Sequence, residues 1–204
     1  MKKILFSILT LVLGLVLSGS DCSGPDPVPD PSTTDAGVKI GDVTWATRNV
    51  GAFGKFAATP EDPGMLYQWN NKTAWPATGP ALGWNSSWSS SAATWQPAND
   101  PCPTGWRVPT NVERTALRNA PNAWDAVKKG RLFGTAANTI FLPAGGGRKW
   151  DTGNIHDVGT LGFYWSNDSD GTETATGLYF SSGDIATAGG VFQANAYSVR
   201  CVKI

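Results

Sequence analysis

The residues of this chain that could carry covalent or acid–base chemistry are few: three cysteines and one histidine. Cys22, Cys102 and Cys201 are far apart in the sequence, and His156 stands alone. A reactive cysteine needs a base or a positive charge beside it, and nothing in the sequence ties His156 to a cysteine. One histidine offers no cluster of metal ligands and no complete catalytic set. We therefore expect a protein without catalytic residues or cofactor, in which His156 is a surface or loop residue.

The N-terminus accounts for one cysteine. Met1-Lys2-Lys3 is positively charged, and residues 4–17 form an uncharged, mostly apolar run that small residues follow. This pattern predicts a secretory signal peptide over residues 1–21, because the run is too short to cross a bilayer. Cys22 then stands at the expected lipidation site of a bacterial lipoprotein, although Asp21 replaces the usual small residue. Ordinary cleavage after Ser20 is the alternative. Lipidation predicts an exported protein held to the outer membrane by a lipid anchor, on the cell surface.

Lipidation of Cys22 would leave Cys102 and Cys201 as an even pair in an oxidising compartment. A disulfide between them would close a loop of about a hundred residues, which stabilises the fold by about 4–5 kcal/mol in the chain-entropy description. A free reactive thiol is the alternative. We predict the disulfide, which would hold the last strand to the start of a helix near Thr110.

Residues 22–36 differ in composition from the rest of the chain. They are rich in proline and aspartate and have almost nothing to bury, which predicts an extended tether. Residues 37–204 are enough for one domain with a hydrophobic core. The whole chain has 16 basic and 16 acidic residues and no basic run, which argues against nucleic acid as a partner.

Two helices are predicted. Thr110-Asn-Val-Glu113 is a capping box, which indicates a helix over 110–119 with Val112, Ala116 and Leu117 facing inward. A second, weaker pattern indicates a helix over 121–128, with Trp124 and Val127 facing inward.

The remaining regular structure is predicted to be β. A hairpin is expected over 38–50, turning at Gly41-Asp42. Further strands are expected at 139–142, 162–166, 177–181 and 197–203. Short strands together with short helices predict an α+β domain.

The region from 51 to 106 shows no sustained period. It contains six of the ten tryptophans: Trp69, Trp75, Trp84, Trp88, Trp95 and Trp106. A long irregular stretch inside a compact domain is commonly functional. We expect these indoles to belong mainly to the core, with an aromatic platform for sugars as the alternative.

The segment from 165 to 197 is the strongest candidate for recognition, because it combines polar side chains with aromatic rings. Such groups suit a saccharide, whose hydroxyls hydrogen-bond and whose apolar faces stack on rings. The alternative is a set of solvated hairpin loops that bind no ligand. The candidate ligand-binding residues are Trp165, Asn167, Asp168, Asp170, Thr172, Glu173, Tyr179, Asp184, Phe192, Gln193, Asn195 and Tyr197.

Two short motifs suggest weaker possibilities. Asp168, Asp170 and Glu173 resemble part of a calcium loop but lack the spacing of a complete one, so a turn with acidic flanks is favoured. Gly145-Gly-Gly-Arg148 lacks the following residues of a phosphate-binding loop, and a turn is expected there.

Short motifs occur in order along residues 38–204: Val38-Lys-Ile-Gly41 with Trp45-Ala46, Gly64-Met-Leu-Tyr-Gln-Trp-Asn70, Cys102-Pro-Thr-Gly-Trp-Arg-Val-Pro-Thr110, Phe141-Leu-Pro-Ala-Gly-Gly-Gly-Arg148, Tyr164-Trp-Ser166 and Ser198-Val-Arg-Cys-Val202. Together they resemble the Fibrobacter succinogenes major paralogous domain family. That family is similar in turn to the formylglycine-generating-enzyme branch of the C-type-lectin fold. In that branch an Arg-Leu-Pro-Thr-x-x-Glu-Trp stretch opens a helix, as residues 107–114 do here, although Arg114 departs from the usual Trp.

The resemblance implies a C-type-lectin-like domain with short antiparallel strands, one or two short helices and long irregular loops. It also implies an exported surface protein or lipoprotein, with a ligand face in the segment before the last strand. The formylglycine enzyme uses copper and two redox-active cysteines near its C-terminus, where this chain has only Cys201. The resemblance therefore does not extend to that activity.

The combined expectation is a non-catalytic, lipid-anchored surface protein that binds a glycan or a protein ligand. One alternative is a structural or assembly subunit of a pilus tip or surface complex, which the resembled family also supplies. A second alternative is a receptor diversified by a retroelement. Variable positions of such C-type-lectin-fold proteins cluster before the last strand and favour the residue types found over 167–197.

Overall fold

The computed structural model describes residues 32–204, which form a mostly β fold with one short α-helix. The expected short antiparallel strands, short helix and long loops are present, but β structure dominates more than an α+β assignment implies. The predicted signal peptide, Cys22 and residues 22–31 of the predicted tether lie outside the described residues. No helix within residues 32–204 is long and apolar enough to cross a bilayer.

In chain order the elements are β1 (Val38–Ile40), β2 (Val43–Trp45), β3 (Leu66–Gln68), β4 (Ala74–Trp75), a 3-10 turn (Pro97–Asn99), β5 (Trp106–Arg107), α1 (Asn111–Asn119), β6 (Asn122–Asp125), β7 (Gly130–Thr135), β8 (Asn138–Pro143), β9 (Gly147–Arg148), β10 (Ile155–His156), β11 (Gly162–Ser169), β12 (Thr174–Phe180), β13 (Ile185–Phe192), β14 (Ala196–Tyr197) and β15 (Val202–Lys203). They form four sheets, with strand orders β1-β2-β15-β5, β10-β9-β14-β3-β4, β11-β12-β13 and β6-β7-β8.

The first sheet brings the beginning and the end of the described chain together. The predicted hairpin is β1–β2, and Val202 of the last strand pairs with Trp45 on one side and with Arg107 on the other. Cys102 and Cys201 form the predicted disulfide, with their Cα atoms 6.0 Å apart. The bridge therefore ties the last strand to the segment that leads into α1.

Helix α1 begins as its capping box predicts, but it buries a different face. The Thr110 hydroxyl accepts from the Glu113 amide at 3.3 Å, and the Glu113 carboxylate accepts from the Thr110 amide at 2.8 Å. Of the predicted inward residues only Leu117 is buried, whereas Val112 is 80% exposed and Ala116 is exposed as well. That part of the prediction was wrong.

Arg114 takes the buried place beside Leu117. Its guanidinium lies over the rings of Trp45 and Tyr164, 5.9 and 5.6 Å from their centroids, and donates to the Trp165 carbonyl. A planar guanidinium can stack on aromatic rings in this way. Arg114 can therefore be buried, although a search for apolar residues at helical spacing does not predict it to face inward.

The predicted second helix over 121–128 was wrong. Asn122–Asp125 is strand β6, and the carboxylate of its last residue accepts from the amides of Val127 and Lys128 in a tight turn. Lys129 follows with a φ of 54°. Val127 is consequently 92% exposed, while Trp124 is half-buried. The backbone pairing available in the β6-β7-β8 sheet outweighs a weak local helical preference.

The other predicted strands correspond to β8, β11 and β12, whereas the strand predicted over 197–203 is split between two sheets. β14 pairs with β3 and β9, and β15 belongs to the first sheet. Arg200 lies between them, fully buried, and donates to the side chain of Asn49 and to the carbonyls of Ala46 and Phe141. The turn expected at 145–148 was wrong, because Gly147–Arg148 is β9 and Gly146, which has a φ of 64°, forms a bridge with Gly162.

Buried indoles hold the irregular region together, as expected. Trp69, Trp75, Trp95 and Trp106 are at most 8% exposed, and Trp84 and Trp88 are half-buried. The Nε1 atom of Trp69 donates to the Ser166 carbonyl at 2.9 Å. This bond ties two distant backbone segments without a regular ladder, whereas Nε1 of Trp95 donates to the nearby Asn99 carbonyl at 2.9 Å.

The described end of the predicted tether is packed against the domain. The side chain of Asp35 is 1% exposed and accepts from the amide and hydroxyl of Thr47 and from Arg48. The Ser32 carbonyl accepts from the Phe56 amide. The contacts of the domain therefore include residues 32–36, ahead of the boundary predicted at residue 37.

Candidate functional site

A groove of about 330 Å³ opens on the surface where three connecting segments meet. Its residues come from a turn after β4, from the β9–β10 loop and from the adjoining ends of β12 and β13. We call it the aromatic groove; it is lined by Ser86, Ser87, Trp88, Ser89, Trp150, Glu173, Phe192 and Ala194. A larger hollow of about 600 Å³ lies between the β1–β2 turn and the end of α1, but no aromatic side chain lines it.

Arg148 fixes the loop that carries Trp150. Its side chain is 1% exposed, and it donates to the Gly153 carbonyl of the same loop at 2.6 Å. It also donates to the carbonyls of Pro76 and Gly79 at 2.6 and 2.8 Å. A buried charge is stable only when its donors are satisfied, so these carbonyls hold the loop and a distant segment in one arrangement.

The backbone of Trp150 is held on both sides. Its amide donates to Oδ1 of Asn195 at 2.9 Å, and its carbonyl accepts from Nε1 of Trp84 at 2.8 Å. Gly153 packs against the Trp84 ring so closely that a Cβ there would lie 2.7 Å from it. The Trp150 ring is therefore presented to solvent from a braced loop.

The buried side-chain amides of Gln68 and Gln193 fix the turn that carries Trp88 and the serines. Gln68 donates to the Asn85 carbonyl at 2.7 Å, and Gln193 accepts from the Ser90 amide at 2.6 Å. Nε1 of Trp88 donates to the Trp69 carbonyl at 2.8 Å. The position of this wall is thus set by side chains from β3 and from the residue after β13.

The third wall is the open end of the β12–β13 hairpin. Thr174 pairs with Phe192, the Gln193 amide donates to the Glu173 carbonyl at 2.9 Å, and Nε2 of Gln193 donates to the Thr174 carbonyl at 3.1 Å. Glu173 is exposed, and its carboxylate makes no hydrogen bond or ion pair with any part of residues 32–204.

The exposed rings give the groove its chemical character. Trp150 and Phe192 are 44% and 45% exposed, and their centroids lie 5.3 Å apart with the planes tilted by 48°. Ser86, Ser87 and Ser89, whose hydroxyls can both donate and accept, line the same groove. Glu173 is the single charged residue of the lining. The groove therefore combines exposed aromatic rings, serine hydroxyls and one negatively charged residue.

The structure divides the predicted ligand-binding residues into three groups. Glu173 and Phe192 line the aromatic groove, and exposed Thr172 is next to Glu173 in the chain. Gln193 and Asn195, at 0% and 9% exposed, lie behind the groove and position its walls. The third group lies elsewhere.

In that third group, several polar side chains brace the fold. The side-chain oxygens of Asn167, Asp168 and Asp170 accept from the amides of Trp95, Asn111 and Gly190 respectively.

Other members of the third group belong to the core or to the far end of the hairpin. Trp165 and Tyr197 are buried, and their ring centroids are 4.8 Å apart. Half-buried Tyr179 and exposed Asp184 lie toward the closed end of the β12–β13 hairpin, about 20 Å of strand from Glu173. These residues are not brought together with the groove.

Within residues 32–204 the calcium candidates Asp168, Asp170 and Glu173 are not gathered into one cluster of metal-ligating side chains. Asp168 and Asp170 are each engaged with a backbone amide, and residues 32–204 contain no group of three or more acidic, histidine or cysteine side chains that could hold a metal ion. His156 is partly buried in β10, where its ring pairs with the Asp157 carboxylate at 2.7 Å and lies against Phe163.

Sequence reasoning missed Trp150 and the serines at 86, 87 and 89, and treated Trp88 only as one member of the tryptophan series. A signal was present, because Trp150 precedes Asp151, Gly153 and Asn154, which favour turns. A tryptophan at a turn has little neighbouring chain to cover it.

Comparisons with protein-family models, with curated proteins and with solved structures find no match to this chain.

Proposed function

We propose that this protein is a non-catalytic cell-surface protein whose aromatic groove binds a saccharide. The observation that carries the proposal is the exposed pair of Trp150 and Phe192, held on braced backbone in a groove that three serines also line. Large aromatic rings are rarely left exposed side by side without a role in binding. The groove volume also lies within the range of small-ligand sites, about 300–1,000 Å³.

The walls of the groove correspond to the two kinds of surface that a sugar ring presents. Its apolar C–H face would stack on Trp150 and Phe192, while its hydroxyls would bond with the serines and the Glu173 carboxylate. The bracing by Arg148, Asn195 and Gln193 reduces the entropy lost on binding, because the rings are already positioned. Cys102 and Cys201 are joined in a disulfide and do not line the groove, which supports a binding rather than a catalytic role.

The family resemblance is consistent with this location. In the C-type-lectin fold the ligand face commonly precedes the last strand, and Glu173, Phe192 and Ala194 precede β15. We therefore propose a C-type-lectin-like domain of the major paralogous domain family, displayed on the outer membrane through a lipid at Cys22. A retroelement-diversified receptor receives less support, since several of the positions expected to vary brace the fold.

A glycan array tests the proposal. Protein comprising residues 22–204 with the C22S substitution should bind at least one class of saccharide, and the doubly substituted W150A/F192A protein should lose about 2 kcal/mol of binding free energy, or about thirty-fold in affinity. F53A is the matched control, because Phe53 is also 45% exposed but lies outside the groove. Absence of binding across the array, or equal loss in F53A, would contradict the proposal.

A second candidate, an assembly subunit, is favoured by the outer edge of β13. Ile185–Phe192 contains no charge and no proline, and within residues 32–204 no strand or bridge pairs with that edge. Natural edge strands usually carry charged residues or proline, which prevent pairing with another chain. Association that A186K abolishes, measured by analytical ultracentrifugation, would support this role; a monomer at all concentrations that captures no surface-complex subunit would refute it.

A further inference from the structure

The charge pattern of the aromatic groove leads to a narrower ligand class. We propose that the groove prefers saccharides that carry a free amino group, such as unacetylated hexosamine oligomers, over neutral ones and excludes acidic ones. This inference rests on the proposed saccharide binding in the same groove.

The first argument is the state of Glu173. Glu173 lines the groove, and its carboxylate has no partner within residues 32–204, whereas the side chain of Glu113 bonds with Arg107 and that of Glu61 with Lys128. Its backbone is held by the Gln193 amide. The groove thus presents a negative charge at a defined place, available to a cationic group of the ligand.

The second argument is the absence of a counter-charge in the lining, which contains no lysine or arginine. Lys149 and Asp151 flank Trp150 in the chain, with opposite charges, and neither lines the groove. A carboxylate on a ligand would therefore approach Glu173 without a cation in the groove lining to offset the repulsion.

The third argument is the aromatic wall. Ammonium groups are attracted to the faces of aromatic rings, most strongly to tryptophan, and Trp88, Trp150 and Phe192 all line the same groove as Glu173. A protonated amine on a sugar ring could then contact the carboxylate while the ring stacks on an indole. A neutral sugar would gain only the stacking and the hydroxyl bonds.

Isothermal titration with matched oligomers provides the test. The probes are β-1,4-linked tetramers of glucosamine, of N-acetylglucosamine and of glucuronic acid, at a pH where the amine is protonated and with residues 22–204 carrying C22S. The glucosamine tetramer should bind about five-fold tighter than the acetylated one, as expected for one exposed ion pair, and the acidic tetramer should not bind.

Variants separate the groove from the general charge of the surface. E173Q should remove the five-fold preference and retain binding of the neutral tetramer, while E61Q, which changes the net charge equally outside the groove, should keep the preference. W150A should weaken binding of both tetramers.

Equal affinity of the wild type for the amine and acetylated tetramers, or a preference that survives E173Q, would overturn this inference and leave saccharide binding intact. A wild type that binds no saccharide at all would overturn both proposals.

Discussion

The buried and the exposed tryptophans of this protein do opposite work with the same side chain. Trp69 and Trp165 are fully buried. The indole N–H of Trp69 donates to the carbonyl of Ser166, which follows Trp165 in the chain. The indole N–H of Trp165 donates to the carbonyl of Tyr67, two residues before Trp69. Trp150 in the groove has its backbone fixed instead, while its ring remains 44% exposed. In the core, the indole rings hold the backbone in place through their N–H bonds. At the groove, hydrogen bonds of the backbone hold the exposed ring in place.

The difference shows how an irregular chain can provide both stability and a rigid site. Buried indoles replace regular ladders across residues 51–106, because each ring supplies a large apolar area and the N–H groups of Trp69 and Trp95 bond backbone carbonyls. Once these segments are fixed, loops attached to them can hold exposed rings at little further cost in conformational entropy. Trp88 combines both roles, since its N–H bonds the Trp69 carbonyl while its ring lines the groove.

The largest expected effect comes from removing a core ring. W165A should lower the free energy of unfolding by about 3–5 kcal/mol, because it leaves a cavity and removes the indole hydrogen bond to the Tyr67 carbonyl. W150A should change it by no more than about 0.5 kcal/mol. Urea unfolding with the disulfide intact measures both; equal stability losses would contradict the division into core and groove.

A W165F variant makes this test informative if W165A does not fold. It keeps an aromatic ring but loses the N–H bond to Tyr67, so an intermediate loss of about 1–2 kcal/mol is expected.

A second effect concerns the phenols of the core. Burial raises the pKa of Tyr67 and Tyr197, and it raises the pKa of Tyr164 from an ordinary value of 10 to about 12. Because the folded pKa lies above the unfolded one, the stability that neutral Tyr164 contributes is complete below pH 10 and is lost between pH 10 and about 12.

Comparison of the wild type with Y164F isolates that contribution. The wild type should lose on the order of 2–3 kcal/mol relative to Y164F across this window, and W150A should follow the wild type. Urea unfolding at several pH values measures the difference. A phenolate absorbance signal from Tyr164 near pH 10 in the folded protein would contradict the expectation.

The smallest effect concerns the link between core and groove. N195A removes the acceptor for the Trp150 amide, so saccharide affinity should fall by about five-fold, or about 1 kcal/mol. Asn195 lies behind the groove rather than in its lining, so the loss would report positioning of the ring. N195D retains the acceptor and should bind more tightly than N195A; equal binding by N195A and wild type would show that Asn195 does not position Trp150.

Local signals in the sequence were sufficient where one segment decides its own structure. The capping box at Thr110 and the hairpin around Gly41 were predicted correctly, since short-range hydrogen bonds and turn preferences determine them. Predictions failed where a partner elsewhere in the chain decides. Residues 122–125 pair with β7 instead of forming a helix, and Arg114 rather than Val112 faces inward because two distant aromatic rings accept its guanidinium.

The candidate site shows the same division. The sequence pointed to residues 165–197 and so included Glu173 and Phe192, but it could not separate them from Asn167 or Asp168, whose oxygens bond distant amides. The other aromatic residues of the groove, Trp88 and Trp150, come from segments that are far away in the chain. Composition identifies residues able to bind a sugar, whereas exposure depends on which segments pack together.

By itself, the sequence determined the chemistry that was available: a pair of cysteines in the folded part, an excess of tryptophan and one well-capped helix. The tertiary structure decided which tryptophans became core and which became surface. That choice depends on long-range contacts, above all the carbonyls that Arg148 gathers and the amides that Asn195 and Gln193 accept from. No local pattern encodes those contacts, because their partners lie many residues apart and meet only once the whole domain has folded.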